Sequence, residues 1–252
     1  MVSSHSELRV LLIQARNDHD IEIQEIECFL ERCRLLPSQL HNINLPTSPK
    51  LPSVSSALNE YDALFIGGSG DYSAVDDHEW MPFAFDLIKE AYKRYLPTFG
   101  SCWGHQVIAR ALGGKVVHDP DRAEMGCHHV DLTPAAKVDQ LFKDFPDSFH
   151  VNMGHHDRIT QLPDLATEMA RNDNQPFEAF RMNGRPIYGT QFHSELDARR
   201  YEERIVRYRD KYEAQLSSQE VMQSILDSLK ETSPVDHLMF DFLSKFAVAK
   251  LD

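Results

Sequence analysis

The residues best placed to do chemistry are Cys102, His193 and Glu195. Cys102 stands in Pro97-Thr98-Phe99-Gly100-Ser101-Cys102-Trp103-Gly104-His105-Gln106, a short apolar run that turns into the helical stretch Val107 to Leu112. Glycines two before and two after the cysteine give G-x-Cys-x-G, the spacing of a nucleophile elbow. In such a turn only small residues let strand and helix pass, and the apex side chain is pushed out at the sheet edge. The apex also opens a helix, where unpaired N–H groups and the helix dipole favour an anion. Read alone, Cys102 fits a nucleophile and an ordinary buried cysteine equally well. His193 and Glu195 follow the strand Pro186 to Phe192. An imidazole in reach of the thiol acts as general base and then protonates a leaving amine, while a carboxylate behind it orients the ring. Singly, His193 reads as a satisfied strand-end histidine and Glu195 as a surface carboxylate; with the elbow they point to nucleophilic acyl chemistry.

The elements that must position these groups are legible in the hydrophobic pattern. Leu8 to Ala15 and Tyr61 to Ile66 are nearly continuous apolar runs, as expected of strands covered on both faces. Asp20 to Leu36, stopped by Pro37, and Glu79 to Tyr95 have helical spacing. Further strands are expected at His41 to Leu45, Lys115 to His118, Met125 to Leu132, Phe149 to Met153, Leu165 to Arg171 and Phe177 to Met182. The alternation predicts an α/β fold, a doubly wound and mostly parallel sheet flanked by helices, with its site at the carboxyl edge. The loop Gly67-Gly68-Ser69-Gly70 matches neither common nucleotide-binding glycine motif. It reads either as a plain strand-to-helix turn or as backbone able to face a reacting carbonyl.

Composition narrows the partners. Net charge is −13 over 252 residues, which argues against a sequence-independent grip on nucleic acid or an anionic membrane. The four cysteines, at 28, 33, 102 and 127, make neither a disulfide framework nor a metal knuckle, in keeping with reduced thiols in a cytoplasmic protein. Met1 to Glu7 lacks the features of a signal peptide, and no apolar run reaches membrane-spanning length. Cys127, His128 and His129 are adjacent on an expected strand and so point to opposite faces, which excludes a shared ion; no metal or cofactor is expected. Asp197 to Gln215, Gln219 to Glu231 and Asp236 to Ala249 read as helices that either cap the core or form a docking or homodimer surface.

Gly100-Ser101-Cys102-Trp103-Gly104-His105-Gln106, followed by Phe192-His193-Ser194-Glu195, resembles the class I (triad) glutamine amidotransferase domain. The resemblance spans about residues 8 to 197. Within the family the chain is most similar to stand-alone members related to the glutaminase domain of GMP synthetase and to plant γ-glutamyl peptidases. The resemblance implies a flavodoxin-like amidotransferase domain over residues 1–196 and a helical extension over 197–252 packed on it. It also implies Cys102 as nucleophile, His193 and Glu195 as its partners, and the N–H groups of Gly68 and Trp103 as oxyanion hole. Gln106 would hold the α-amino acid end of a glutamyl group, with His155 and Asp157, the H-x-D block, in support. Where the family usually has proline, this chain has Ser194. The implied reaction is hydrolysis of the side-chain amide of glutamine, or of a γ-glutamyl compound, through a glutamyl thioester. The 252 residues carry no ATP-binding loop, so use of the ammonia would need a synthetase partner subunit. The competing readings are a γ-glutamyl peptidase and a catalytically silent regulatory subunit.

Overall fold

A computed structural model describes residues 4–212 and 218–248. In chain order its elements are β1 (Val10–Gln14), α1 (His19–Cys33), β2 (Leu40–Asn44), α2 (Val54–Leu58), β3 (Ala63–Ile66), α3 (Met81–Lys93), β4 (Thr98–Ser101) and α4 (Trp103–Ala111). There follow β5 (Lys115–His118), β6 (Glu124–Leu132), β7 (Ser148–His155), β8 (Asp157–Gln161), β9 (Ala166–Arg171), β10 (Ala179–Met182) and β11 (Ile187–Thr190). Three helices complete the described chain: α5 (Ala198–Arg207), α6 (Gln219–Ser228) and α7 (Leu238–Phe246).

The main sheet has the order β2-β1-β3-β4-β11-β10-β9-β6-β7. Strands β2, β1, β3, β4 and β11 are parallel, and β10, β9, β6 and β7 continue the sheet antiparallel. The parallel half is apolar on both faces for the reason its sequence suggests. Val10, Leu12, Phe65 and Phe99 enter one core, while Leu11, Ile13, Leu64 and Ile66 enter the other. The first core is closed by α1 and α7. Phe242 of α7 meets Phe65, Phe99 and Tyr188 at ring-centroid separations of 5.8, 5.4 and 5.9 Å, directly under the three strands that carry the elbow and its neighbours. Such aromatic pairs add about 0.5–1.5 kcal/mol each beyond their buried area. The second core lies under α3 and α4.

Local signals account for the ends of α1. Asp18 caps it by accepting from the N–H groups of Asp20 and Ile21, and Arg34 closes it in a left-handed conformation at φ 54°. Two expectations are corrected. Lys115 to His118 does form a strand, but it pairs with β8 in a separate two-stranded ribbon. Strand β8 itself was not anticipated, because its polar residues resemble a loop until β5 supplies a partner. The helix expected from Asp197 ends at Arg207, followed by a short 3-10 turn at Arg209–Tyr212. Its expected end at Gln215, the last helix's end at Ala249 and Met1 to Ser3 lie outside the described residues. Among the described residues no helix is long and apolar enough to cross a membrane.

The elbow geometry depends on close backbone approach. A Cβ at Gly104 would stand 2.1 Å from the Ile66 carbonyl oxygen, and one at Gly100 would stand 2.5 Å from the Gly104 carbonyl carbon. Backbone on both sides leaves no flexible group to yield. Gly104→Ala is therefore expected to cost about 3 kcal/mol, a fall in Tm of roughly 6–12 °C. A calorimetric Tm within about 2 °C of wild type would contradict this packing.

Candidate active site

Strands β4 and β11 are parallel neighbours, with Ser101 opposite Thr190. The two chains therefore leave the sheet side by side, one into Cys102 and the other into His193. Cys102 takes φ 51° and ψ −103°, a conformation L residues rarely adopt, and its N–H donates to Thr190 O at 2.8 Å. Held this way, the nearly buried sulfur faces the His193 imidazole, close enough for side-chain hydrogen bonding. Gln191 Nε2 also donates to Sγ at 3.7 Å.

On its far side the His193 ring meets Glu195, Nδ1 to Oε1 at 2.6 Å, and Ser101 Oγ donates to Glu195 Oε2 at 2.7 Å. Both carboxylate oxygens are fixed, so Ser194 in place of proline leaves the aim of Glu195 intact. Burial opposes charge on His193, but the Glu195 carboxylate and the Cys102 sulfur outweigh it and raise the imidazole to about 9. Burial likewise opposes charge on Glu195, and His193, Arg204 and Ser101 lower it to about 2. A thiol, an imidazole able to gain and return a proton, and a fixed carboxylate behind it form one line.

The remaining expected residues sit around this line in different states. Trp103 occupies the first position of α4, where a backbone N–H has no intrahelical acceptor, beside the sulfur. The Gly68 N–H instead donates to Glu25 Oε1 at 3.1 Å, although Gly68 itself lies close to both His193 and Cys102. A Cβ there would be 3.1 Å from His193 Cε1 and 3.8 Å from Cys102 Cβ. Gln106, in the wall of a cleft, donates its amide N–H groups to Asp157 O, at 2.6 Å, and to Gln191 Oε1, at 3.0 Å. The Asp157 carboxylate accepts from Ser73 Oγ and from the Ala74 N–H, and pairs with His118 Nδ1. It fastens the glycine-rich loop. His155 donates through Nδ1 to Asp157 O, 3.0 Å away, and its other nitrogen faces the interior.

Two clefts meet at Cys102. One of about 160 Å3 is lined by the loop Ser69 to Ser73, Trp103, Gln106, His118 and the stretch from Gly154 to Asp157. The other, about 30 Å3, has His193 in its wall together with Arg16, Tyr201, Arg204 and Tyr208. Sequence reasoning missed this second group. Arg16 and Glu25 are buried and paired, Nε to Oε2 at 3.1 Å and Nη2 to Oε1 at 2.7 Å. Arg204 of α5 stands between the acids, Nη1 lying 3.6 Å from Glu25 Oε1 and 3.9 Å from Glu195 Oε1. Breaking a buried pair of this kind costs about 3–5 kcal/mol, because it leaves one charge stranded. The only signal available in advance was the polar Arg16 at the end of an apolar strand.

A model of the family described as glutamine amidotransferase class-I matches residues 20–210. The chain belongs to this family. It is similar to a glutamine-hydrolyzing GMP synthase subunit of Pyrococcus abyssi, 35% identical over 164 residues that cover 65% of this chain and 80% of that one. It is also similar to the glutamine-hydrolyzing GMP synthase of Ligilactobacillus salivarius, 32% identical over 151 residues, 60% of this chain but 27% of that protein. This class-I amidotransferase thus spans about a quarter of the length of the larger relatives. The same fold occurs in a crystal structure of a glutamine amidotransferase from Thermotoga maritima. That structure has a TM-score of 0.73 and 24% identity and covers 96% of this chain and 98% of that one.

The line from Cys102 to Glu195 makes the stability of the amidotransferase fold depend on pH in a defined window. His193 is raised from 6.5, so its contribution is complete below about pH 6.5 and is lost as pH rises through about 9. Glu195 is lowered from 4.5, so its contribution is complete above about pH 4.5 and is lost as pH falls through about 2. Denaturant titrations of wild type and Glu195→Gln should differ most between pH 4.5 and 6.5 and converge above pH 9. In the variant the NMR titration midpoint of His193 should drop from about 9 toward 6.5. An unmoved midpoint would remove Glu195 as the source of the shift.

Proposed function

We propose that Cys102, His193 and Glu195 act as a catalytic triad that hydrolyses the side-chain amide of glutamine or of a γ-glutamyl compound. The Cys102 thiol gives its proton to His193 as the sulfur attacks the amide carbonyl carbon and the carbonyl π pair moves to oxygen. Collapse of that tetrahedral species expels the amine, which takes the His193 proton, and leaves a glutamyl thioester. Water attacks the thioester while His193 accepts its proton; the C–S bond then breaks, releasing glutamate and restoring the sulfur. The Trp103 N–H is the oxyanion donor already in place. The Gly68 N–H can join it once it leaves Glu25.

The observation that carries this reading is the 2.6 Å contact of His193 Nδ1 with Glu195 Oε1, on a ring whose other edge faces Cys102. The larger cleft, with Gln106 and the H-x-D stretch, fits the glutamyl part, and the leaving amine then departs on the His193 side. The likeness to the Pyrococcus abyssi GMP synthase protein favours ammonia passed to a synthetase partner subunit. A γ-glutamyl peptidase is the second reading, favoured by the open cleft that places the His193 ring in its wall, beside the path of the leaving amine.

Purified protein incubated with glutamine and with a panel of γ-glutamyl peptides should release glutamate, and Cys102→Ala should lower the rate by about 10⁴-fold or more. The substrate with the higher kcat/KM decides between the two readings. Absence of glutamate from every substrate, with and without an added synthetase, would leave the silent-subunit reading in its place.

A further inference from the structure

Behind the H-x-D stretch, where His155 also forms part of the larger cleft's wall, Glu124, His155 and Glu178 converge in the interior. One donor atom from each can be chosen so that all lie within 4.8 Å of one another, and all three residues are buried. Neither oxygen of the fully buried Glu178 carboxylate has a hydrogen-bond partner, and the groups nearest it are the Glu124 carboxylate and the Gln175 amide. An unpartnered carboxylate facing a second carboxylate in the interior is costly unless a cation or a proton lies between them. From this geometry we infer that Glu124, His155 and Glu178 form a binding site for one divalent transition-metal ion, for which Zn2+ is the probe.

The donor set fits that ion. Imidazole and carboxylate together suit zinc and its neighbours, whereas magnesium takes oxygen donors alone. His155 Nε2 and Glu124 Oε2 are 3.4 Å apart, about the edge of a tetrahedron with ligands roughly 2.0–2.1 Å from its centre. Glu178 supplies the third donor, within 4.8 Å of the other two. His155 is already oriented, since its Nδ1 meets the Asp157 carbonyl and thereby presents Nε2 to the site, the usual support of a metal-bound histidine. The Gln175 amide touches both Glu124 Oε2 and His155 Nε2, and its Oε1 has no partner; turning the amide brings that oxygen in as a fourth donor. The ion would brace the cleft wall through His155 and the Asp157 carbonyl, which also receives Gln106.

This inference is independent of the proposed amide hydrolysis, and so is its test. Chelator-treated Cys102→Ala protein, in which the reactive sulfur cannot capture metal, is titrated with Zn2+ against a chromogenic chelator and assayed for bound metal. One equivalent is expected, with Tm raised. Glu178→Gln in the same background should bind at least about 100-fold more weakly and show no Tm rise. If that variant does not fold, Co2+ bound to the Cys102→Ala protein should give visible d–d bands of a nitrogen and oxygen set without sulfur charge transfer. No stoichiometric uptake, uptake indifferent to Glu178→Gln, or a sulfur-ligated Co2+ spectrum would each overturn the site, and the first would leave a shared proton as what holds the carboxylates together.

Discussion

Everything in the site depends on one pairing, the parallel ladder between β4 and β11. Its register sets Gly100 against Gly189 and Ser101 against Thr190, and one further bond, from the Cys102 N–H to the Thr190 carbonyl, carries it past the end of the strand. That bond holds the elbow residue in its strained conformation. The paired glycines let α4 lie across both strands, since a Cβ at Gly189 would stand 2.7 Å from His105 Nδ1. A slip of one residue would turn every side chain to the other face and separate sulfur from imidazole.

Around that pairing the fold builds a line of buried charge. Arg16 leaves β1, Glu25 rises from α1, Arg204 descends from α5 and Glu195 follows β11, and each is nearly or fully buried. In a low-dielectric interior such ions are tolerable only because each faces an opposite partner. The arrangement ties α5 to the acid behind His193. It also explains why the Gly68 N–H rests on Glu25, the strongest acceptor within its reach.

The glycine-rich loop is fixed from outside itself. Asp157 takes the Ser73 hydroxyl and the Ala74 N–H, while the Tyr208 ring covers Gly70, where a Cβ would come within 2.7 Å. Tyr208 also reaches Arg16 at 3.5 Å and Asp71 at 3.3 Å. A loop that matches no nucleotide motif thus becomes the floor shared by both clefts, shaped by residues more than eighty positions away.

Much of this was written in the local sequence. Apolar runs placed the parallel strands and helical spacing placed the first helix, because burial acts over a few residues, although that helix ends at Cys33, closed by Arg34, ahead of the expected stop at Pro37. G-x-Cys-x-G and the His-x-Glu pair were legible for the same reason: an elbow and a ring-orienting carboxylate are local devices. Only the tertiary structure decided that β5 leaves the main sheet for β8, that Asp157 clamps a loop, and that Arg16, Glu25, Arg204 and Tyr208 close around His193. Those outcomes are set by which strands become neighbours, and the energy of a buried charge depends on partners that no stretch of sequence contains.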